Sequence, residues 1–282
     1  MDPKLTIGMA TYEDFHGVYF SIQALRMYHP EIMDQVEFVV VDNKPDSSHG
    51  QEVKKFMRHQ VHGQYIPFSE WESTGVRDVV FREAKGEYVL CMDCHVLFSP
   101  GSLKRLLDHY DNDPDTKDII QGPLMYDNFD NFSTHFNPEW RSQMFGTWAT
   151  NEEALKKGDP FDIPMCGLGM FTCKKEHWPG FNKQFRGFGG EEWYIHEKFR
   201  QRGGRALCLP FLKWMHRFGR PDGVKFPLTL ENKVRNYMIG WLELYKDPNN
   251  EKVQSIIDHF SEWKPREQLE KMLLEVLNGP RE

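Results

Sequence analysis

The sequence EYVLCMDCH, residues 87–95, joins an apolar, strand-like run to two side chains that can bind a metal ion. Side chains alternate between the two faces of an extended chain. A strand continuing through residue 96 would therefore place Cys91, Asp93 and His95 on one face and Cys94 on the other. A carboxylate and an imidazole on the same face suit manganese or a similar divalent ion. The stretch predicts a metal site held by Asp93 and His95.

The two cysteines of this stretch allow other interpretations. The order Cys-Met-Asp-Cys-His matches the haem attachment pattern of c-type cytochromes, and Cys91 with Cys94 matches a redox or zinc pair. Haem attachment requires export, and a redox pair normally opens a helix, whereas this pair ends an apolar strand. The remaining alternative is that an Asp and a His occur at the strand end by chance and bind no metal. The metal site is the favoured interpretation.

On the N-terminal side of this stretch, strand and helix signals alternate. Apolar or β-branched runs predict strands at 5–10, 36–41, 64–67 and 87–92, and helical spacing predicts helices at 15–28, 51–59 and 75–84. This alternation predicts βαβ units and a mostly parallel sheet. In such sheets ligands bind beyond the carboxyl ends of the strands, where Asp42 and Asp93 both lie.

On the C-terminal side, three regions differ in character. Residues 122–164 are aromatic and lack clear periodicity, which indicates either an irregular packed insertion or one wall of an acceptor cleft. A strand is expected at 207–210. Helical spacing returns at 230–244 and 256–277. We therefore divide the chain into an α/β domain, residues 1–220, and a small helical C-terminal extension, residues 221–282.

A second block of candidate chemistry lies within 164–216. Its apolar start contains Gly167, where backbone could approach a ligand closely. Further on, Gly190 precedes Glu191 and Glu192, which open a helix predicted to span 191–201. Two adjacent carboxylates there indicate an acid/base site, or simply charges that complement the helix dipole, and the dipole should keep their pKa values low. The lone His216 after a strand is more often structural than a ligand.

Composition excludes several classes of protein. The 282 residues carry a formal charge of −7, which opposes a general attraction to nucleic acid or anionic membranes. The five cysteines are irregularly spaced and form no disulfide framework, as is typical of a reducing compartment. The sequence contains no run of about 18 apolar residues. It also has no signal-peptide pattern at its start, so we expect a cytoplasmic protein without a membrane span.

Taken in order, these segments resemble the nucleotide-sugar glycosyltransferases of the GT-A fold, specifically the family-2-like group. The resemblance rests on Ala10–Glu13 after the first strand, Val40–Asn43, Gly75–Asp78, Ala84–Tyr88 and the later glutamate block. Asp93-Cys94-His95 takes the place of the Asp-x-Asp motif, in the His form typical of polypeptide N-acetylgalactosaminyltransferases. Gly189–Glu192 is similar to the Gly-Gly-Glu-Asn of those enzymes and the Gly-Gly-Glu-Asp of β-1,4-galactosyltransferases. Position 192 departs from both, since it is Glu.

The resemblance implies a fold, a cofactor and a donor. The fold is GT-A, a Rossmann-like, mostly parallel central sheet flanked by helices. The cofactor is Mn²⁺ or Mg²⁺, and the donor is a nucleotide-sugar, most simply a UDP-sugar. His216 falls where these families place a histidine that completes the metal site, which raises it from a doubtful to an expected ligand beside Asp93 and His95.

The same resemblance suggests roles for the other candidates. Residues expected to bind the donor are Thr11, Tyr12, Asp42, Arg77, Asp78, Gly167 and Gly190. Glu191 would bind a sugar or acceptor hydroxyl. Glu192 would act as the general base of an inverting transfer, because inverting members use the second acid of the pair in this way.

The acceptor and two other functions stay open at this stage. The acceptor could be a saccharide, a protein or a hydroxylated base in DNA. A basic group near the proposed site bears on the DNA alternative: Arg200, Arg202, Arg205, Lys213, Arg217 and Arg220. The alternatives to a transferase are a non-catalytic sugar-nucleotide binder and a metal-free redox protein with a Cys91–Cys94 disulfide.

Overall fold

The computed structural model describes residues 2–220 and 223–279. The strands are β1 (Leu5–Thr11), β2 (Val36–Asp42), β3 (Gln64–Pro67), β4 (Tyr88–Asp93), β5 (Val96–Phe98), β6 (Ile119–Gln121), β7 (Leu124–Met125), β8 (Phe132–Ser133), β9 (His135–Arg141), β10 (Met144–Ala149), β11 (Phe161–Asp162), β12 (Met170–Lys174), β13 (Ala206–Cys208) and β14 (Trp214–His216). The helices are α1 (Phe15–Tyr28), α2 (Ser48–Phe56), α3 (Arg77–Glu83), α4 (Ser102–Asn112), α5 (Glu152–Lys157), α6 (Glu191–Gln201), α7 (Leu230–Tyr245), α8 (Glu251–Phe260) and α9 (Arg266–Asn278).

Eight of these strands form one central sheet in the order β11-β13-β6-β12-β4-β1-β2-β3. The half from β4 to β3 is parallel, as the alternation of strands and helices predicts. Strand β12 runs antiparallel to both β4 and β6, so the sheet as a whole is mixed. The predicted α/β class and GT-A-like architecture are confirmed.

Alternating strand residues face two different layers of helices. In β4, Leu90 and Met92 pack in a cluster with α1, α2 and α4, whereas Val89 and Cys91 pack in a cluster with α3 and α6. In β2, Val40 belongs to the first cluster and its neighbours to the second. Both faces of the sheet are therefore apolar, and its strands are continuous hydrophobic runs for this reason.

Two regions differ from the sequence-based expectations in local structure. The aromatic stretch 122–164 is less irregular than expected, because β9 and β10 pair as an antiparallel hairpin within it. The helix expected at 256–277 is two helices, α8 and α9, with Pro265 preceding the second. Proline has no backbone N–H and clashes with the preceding turn inside a helix, but it is tolerated where a helix starts.

The predicted helical C-terminal region is present and consists of α7, α8 and α9. Its aromatic residues share one hydrophobic cluster with α6 and the β9–β10 hairpin. Trp140 of the hairpin stacks on His259 with ring centroids 4.5 Å apart, and its Nε1 donates to the Ser255 hydroxyl at 3.1 Å. The helices thus pack directly on elements of the sheet layer. In residues 2–220 and 223–279, no helix has the length and apolar character needed to cross a membrane.

Candidate active site

A cleft of about 390 Å³ opens beyond the carboxyl ends of β1 and β4. Its walls come from the end of β1, the end of β4, the start of α6 and the end of β14. This is the edge at which a parallel sheet is expected to bind its ligand. All three predicted metal ligands and both glutamates line it.

The ligand atoms of Asp93, His95 and His216 lie within 4.8 Å of one another. The Nε2 atoms of the two histidines are 3.1 Å apart, and Nε2 of His216 lies 3.3 Å from Asp93 Oδ2. The backbone explains how His216 arrives there: β14 pairs antiparallel with β5, and His216 is opposite Val96. Two imidazole nitrogens and a carboxylate oxygen converging in this way suit a divalent transition metal ion.

The expectation of a continuous strand through residue 96 is wrong. Strand β4 ends at Asp93, and Cys94 and His95 form a turn before β5 begins. The turn, and not strand alternation, brings His95 towards Asp93. Cys91 and Cys94 are nevertheless separated, because Cys91 packs in the α3–α6 cluster and Cys94 in the opposite one.

The cysteines carry no sign of redox chemistry. All five are free and buried. Burial raises the pKa of the Cys91 thiol to about 12, and it raises the pKa of Cys94 as well. A thiol held in its neutral form is a poor nucleophile and a poor metal ligand. The structure therefore gives no support to the disulfide or haem interpretations of this stretch.

Asp14 is a site residue that the sequence-based predictions missed. Its Oδ2 lies 3.0 Å from Nδ1 of His95, while its Oδ1 accepts a hydrogen bond from Gly17 N at 2.9 Å and caps α1. A carboxylate at Nδ1 retains the proton there and leaves the Nε2 lone pair directed at the cluster. Burial works to raise the Asp14 pKa, but the hydrogen bonds from His95 and Gly17 outweigh it and lower the pKa to about 2. The only sequence signal was its position as a helix N-cap.

Asp14→Asn should weaken manganese binding by about 10- to 100-fold, because an amide orients His95 less strongly than a carboxylate does. Asparagine caps helices as well as aspartate, so the unfolding temperature should change little. Isothermal titration of the protein with Mn²⁺ measures the affinity. Wild-type affinity in a folded variant would contradict a supporting role for Asp14.

The two glutamates lie at the start of α6, after a turn that only glycine adopts easily. Gly189 and Gly190 have φ angles of +98° and +93°. Glu191 and Glu192 are only 2% and 6% exposed. Burial, together with the charge of Glu191, raises the pKa of Glu192 well above its usual range. The expectation of a low pKa is therefore wrong for Glu192, since burial outweighs the helix dipole.

Arg77 connects the acid pair to the metal cluster. Its Nη2 donates to Asp93 Oδ1 at 2.7 Å, and its Nη1 lies 3.9 Å from Glu191 Oε1. The guanidinium is buried between these two carboxylates and also donates to the Thr74 carbonyl oxygen at 3.3 Å. Arg77 does line the cleft, but its strongest contact orients Asp93.

On the side of the cleft formed by β1, the structure brings together Thr11, Tyr12 and, opposite them, Gly167. The Tyr12 ring meets Phe226 edge-on at 5.2 Å between centroids, and its hydroxyl donates to Glu72 Oε1 at 3.1 Å. These contacts form a partly aromatic edge suitable for a planar ring.

Three predicted donor-binding residues do not line the cleft. Asp42 is fully buried, where its carboxylate accepts hydrogen bonds from Lys44 N at 2.9 Å and Tyr65 Oη at 2.8 Å. The next residue, Asn43, lines the cleft instead. Asn43 is 3% exposed, and its Nδ2 donates to the carbonyl oxygens of Phe68 at 3.0 Å and Trp71 at 2.8 Å.

Asp78 and Gly190 have structural contacts instead of positions on the cleft wall. The Asp78 carboxylate accepts hydrogen bonds from Trp178 Nε1 at 2.8 Å and from Phe181 N at 3.0 Å. Gly190 packs against α7, where a Cβ would lie 2.9 Å from Tyr237 N. Neither residue is among those that line the cleft.

The basic residues expected near the site differ in their contacts. Arg200 donates to the Ile163 carbonyl at 3.0 Å, and Arg205 pairs with Asp118 at 2.8 Å. Among the six, Arg220 is the one that lines the cleft, and its Nη2 lies 2.7 Å from His95 Nε2.

The aromatic region 122–164 contributes one wall of the cleft. Phe136, Met144 and Trp148 of the β9–β10 hairpin line it. The rings of Phe136 and Trp148 meet edge-on with centroids 4.3 Å apart. This wall lies on the same cleft as the acid pair and is apolar.

Solved structures of low sequence identity share this fold. GalNAc-T7 with UDP, GalNAc and Mn²⁺ superposes with a TM-score of 0.71 at 14% identity, over 98% of this chain and 55% of that one. A mannosyltransferase from Pyrobaculum calidifontis with GDP-Man and Mn²⁺ has a TM-score of 0.60 at 14% identity, over 98% and 74%. S. aureus TarS with UDP-GlcNAc has a TM-score of 0.58 at 13% identity, over 97% and 79%. The chain thus spans about half the length of GalNAc-T7.

Sequence comparison assigns the family independently of these structures. No curated protein matches the chain. The model of the family described as glycosyl transferase family 2 matches residues 6–178, which is more than half of the chain and includes Asp14, Asp93 and His95. With the GT-A fold and this match together, the chain belongs to glycosyl transferase family 2.

Proposed function

We propose that the protein transfers a sugar from a UDP-sugar to an acceptor hydroxyl with the help of Mn²⁺ or Mg²⁺. The observation that carries this proposal is the convergence of Asp93, His95 and His216 in the same cleft as a buried carboxylate pair. Uridine nucleotides accompany GalNAc-T7 and TarS, and a guanosine nucleotide accompanies the mannosyltransferase. The balance supports UDP as the first donor to test.

Asp93, His95 and His216 would hold the ion, with Asp14 orienting His95 and Arg77 orienting Asp93. The donor set of two imidazoles and a carboxylate fits Mn²⁺. When bound, the ion neutralises diphosphate charge and stabilises the leaving group. Burial keeps the His95 pKa low, so its nitrogen is available as a ligand at neutral pH.

The donor would lie along the β1 side of the cleft. Thr11 and Tyr12 would contact the nucleoside, together with Asn43 in the place first assigned to Asp42. Arg220 carries a positive charge into the same cleft, where a diphosphate would gain from it. Gly167 lets the backbone of the opposite wall approach the sugar.

Glu192 would act as the general base of an inverting transfer. The acceptor oxygen attacks the anomeric carbon and its proton passes to the Glu192 carboxylate. The bond from that carbon to the phosphate oxygen breaks, and its electron pair leaves with the nucleoside diphosphate. Glu191, beside Arg77, would bind a hydroxyl of the sugar or the acceptor. Glu192 must first lose its proton, so its raised pKa predicts faster transfer as pH rises above neutrality.

The apolar hairpin wall favours a saccharide as the acceptor. Sugar rings present C–H faces that pack on aromatic side chains such as Trp148, while their hydroxyls can reach the acid pair. A DNA acceptor would require several basic side chains around the cleft for the phosphates, and of the six basic residues only Arg220 lines it. A hydroxyl group of a protein is the competing acceptor.

A thermal-shift panel of nucleotide-sugars with and without MnCl₂ tests this function. A UDP-sugar at about 100 times its Kd should add about 2.7 kcal/mol of stability, and the shift should require the metal. His216→Ala is the matched variant. It should lose the part of the thermal shift that depends on the metal. Product analysis, with hydrolysis of the donor as the baseline, distinguishes an enzyme from a protein that binds the nucleotide-sugar without turning it over. Absence of any metal-dependent shift or turnover across the panel would refute the proposal.

A further inference from the structure

The imidazole of His95 faces two different groups of side chains. Its Nε2 lies 3.1 Å from His216 Nε2 and 2.7 Å from Arg220 Nη2, on the side of the metal cluster. Its Nδ1 lies 3.0 Å from Asp14 Oδ2 and 3.5 Å from the sulfur of Cys94. The remaining distance, from Cys94 Sγ to Asp14 Oδ2, is 3.7 Å. An oxygen, a nitrogen and a sulfur thus form a second triangle of metal-binding atoms, which shares His95 with the first.

The dimensions of this triangle are close to those of a zinc site. Zinc binds sulfur at about 2.3 Å and imidazole nitrogen or carboxylate oxygen at about 2.0–2.2 Å, so neighbouring ligands of a tetrahedral ion are about 3.3–3.7 Å apart. Both distances to Cys94 Sγ match this spacing, and Asp14 Oδ2 need only move slightly away from His95 Nδ1. A thiolate ligand selects zinc or a similar thiophilic ion over manganese and magnesium, which prefer oxygen.

The backbone holds the three ligands in place. Asp14 caps α1 through Oδ1, which leaves Oδ2 for the triangle. The turn that carries Cys94 is fixed to the same helix, because Ser21 Oγ donates to Cys94 O at 3.2 Å and accepts from Val96 N at 3.0 Å. Gly17 permits this close packing, since a Cβ there would lie 2.5 Å from Cys94 O. The triangle is therefore built where α1 packs on the turn after β4.

The surroundings of the triangle provide access and a further polar atom. Asp14, Cys94 and His95 all line the cleft, so an ion and a water ligand can reach them from it. Thr11 is 3% exposed, and its Oγ1 makes no hydrogen bond of regular geometry within residues 2–220 and 223–279. Burial raises the Cys94 pKa, and the neighbouring Thr11 hydroxyl acts in the opposite direction. Thr11 thus places a buried hydroxyl without a regular partner beside the thiol.

We propose that Asp14, Cys94 and His95 form a second metal site, which binds Zn²⁺ or another thiophilic divalent ion. The ion takes the lone pairs of the Cys94 sulfur and of His95 Nδ1. The thiol proton leaves to solvent, and the imidazole proton moves from Nδ1 to Nε2 through solvent. The charge of a bound ion deprotonates a coordinating thiol, so the neutral state of the free Cys94 does not prevent binding.

The second site and the metal cluster oppose each other through His95. A neutral imidazole carries one proton and therefore offers a lone pair at only one nitrogen. Manganese requires the lone pair at Nε2, which Asp14 favours by retaining the proton at Nδ1. An ion at Nδ1 moves the proton to Nε2 and removes that lone pair. This opposition rests on the proposed function, whereas binding of a thiophilic ion at Cys94 does not.

Titration of the full chain with Co²⁺, a spectroscopic substitute for Zn²⁺, tests the second site. Wild-type protein should develop the near-ultraviolet charge-transfer band of a cobalt–thiolate bond, with the intensity of one thiolate. Cys94→Ala should lose the band. Cys91→Ala is the matched control and should retain it, because Cys91 packs in the opposite hydrophobic cluster. A wild type without the band, or a band that persists in Cys94→Ala, would overturn the site.

Cadmium-113 NMR of the wild type tests the same ligands without any variant. The chemical shift of bound Cd²⁺ should be that of an ion with one sulfur ligand and nitrogen and oxygen ligands. A signal typical of nitrogen and oxygen ligands alone would count against the proposed role of Cys94.

The opposition between the two sites has its own measurement. Saturating Mn²⁺ should weaken the Co²⁺ affinity of the thiolate site by about 5- to 150-fold, the usual range for coupled sites. His216→Gln should keep the cobalt–thiolate band and lose this effect of Mn²⁺. A Co²⁺ affinity that Mn²⁺ leaves unchanged in the wild type would refute the opposition. If no nucleotide-sugar is bound or turned over, the proposed function fails, yet the cobalt band still decides whether the second site exists.

Discussion

Asp93→Asn should abolish manganese-dependent transfer, with a loss of about 10³-fold or more. The ion supplies several kcal/mol of charge stabilisation to a leaving diphosphate, and each 1.36 kcal/mol corresponds to a factor of about ten in rate. Asp93 is the anionic member of the cluster. Its carboxylate has a pKa far below the usual range, because the buried Arg77 and the two histidines outweigh the effect of burial. Electron paramagnetic resonance of Mn²⁺ should show weakened binding alongside the lost activity.

A second variant separates metal loss from a damaged fold. Asp93→Asn leaves the buried Arg77 guanidinium with a weaker, neutral partner at Nη2, so it should also lower the stability of the fold. His216→Gln does not touch Arg77 and should lose metal binding with a smaller change in stability. When donor hydrolysis and transfer are measured at increasing Mn²⁺ concentrations, both variants should show the same loss of metal-dependent activity. Full activity in both, insensitive to a chelator, would exclude the metal site.

Glu192→Gln should lower transfer by about 10²- to 10⁴-fold while leaving donor binding intact. A general base contributes about this factor, and glutamine has the shape of the neutral acid without its ability to accept the proton. Rates of transfer and donor affinity measured on the same preparation check both parts. Glu197→Gln is the matched control on α6, because Glu197 pairs with Arg200 and does not line the cleft. Wild-type transfer by Glu192→Gln would remove Glu192 from the role of base.

The same variant has a predicted effect on stability that depends on pH. The pKa of Glu192 is raised in the folded protein, so between its ordinary value and the raised value the folded state binds more protons than the unfolded state. The contribution of Glu192 to the free energy of unfolding is therefore complete at low pH and is lost as pH rises through this window. Glutamine cannot ionise, so Glu192→Gln should gain stability relative to wild type as pH rises. Urea unfolding at a series of pH values measures this difference.

Local periodicity was sufficient to predict most elements that build the cleft. Helix α1 and helix α6 begin and end where their spacing predicts, and β3 occupies exactly the expected residues 64–67. Each of these segments has a periodic pattern of apolar and polar side chains, and such a pattern depends only on residues that are close together in the sequence. The helix expected at 256–277 is divided into two, because Pro265 cannot continue a helix although the apolar spacing extends across it.

The sequence by itself determined the alternation of strands and helices that builds the parallel half of the sheet, the proximity of Asp93 and His95 and the position of two glutamates at the start of a helix. Each depends on residues that are near one another along the chain. Only the tertiary structure decided that Asp14 faces His95, that Arg77 joins Asp93 to Glu191 and that Asn43 replaces Asp42 on the cleft wall. It also decided that Glu192 is buried, so that its pKa rises where the helix dipole alone would lower it. Contacts and desolvation depend on distances in space, and no spacing along the chain encodes them.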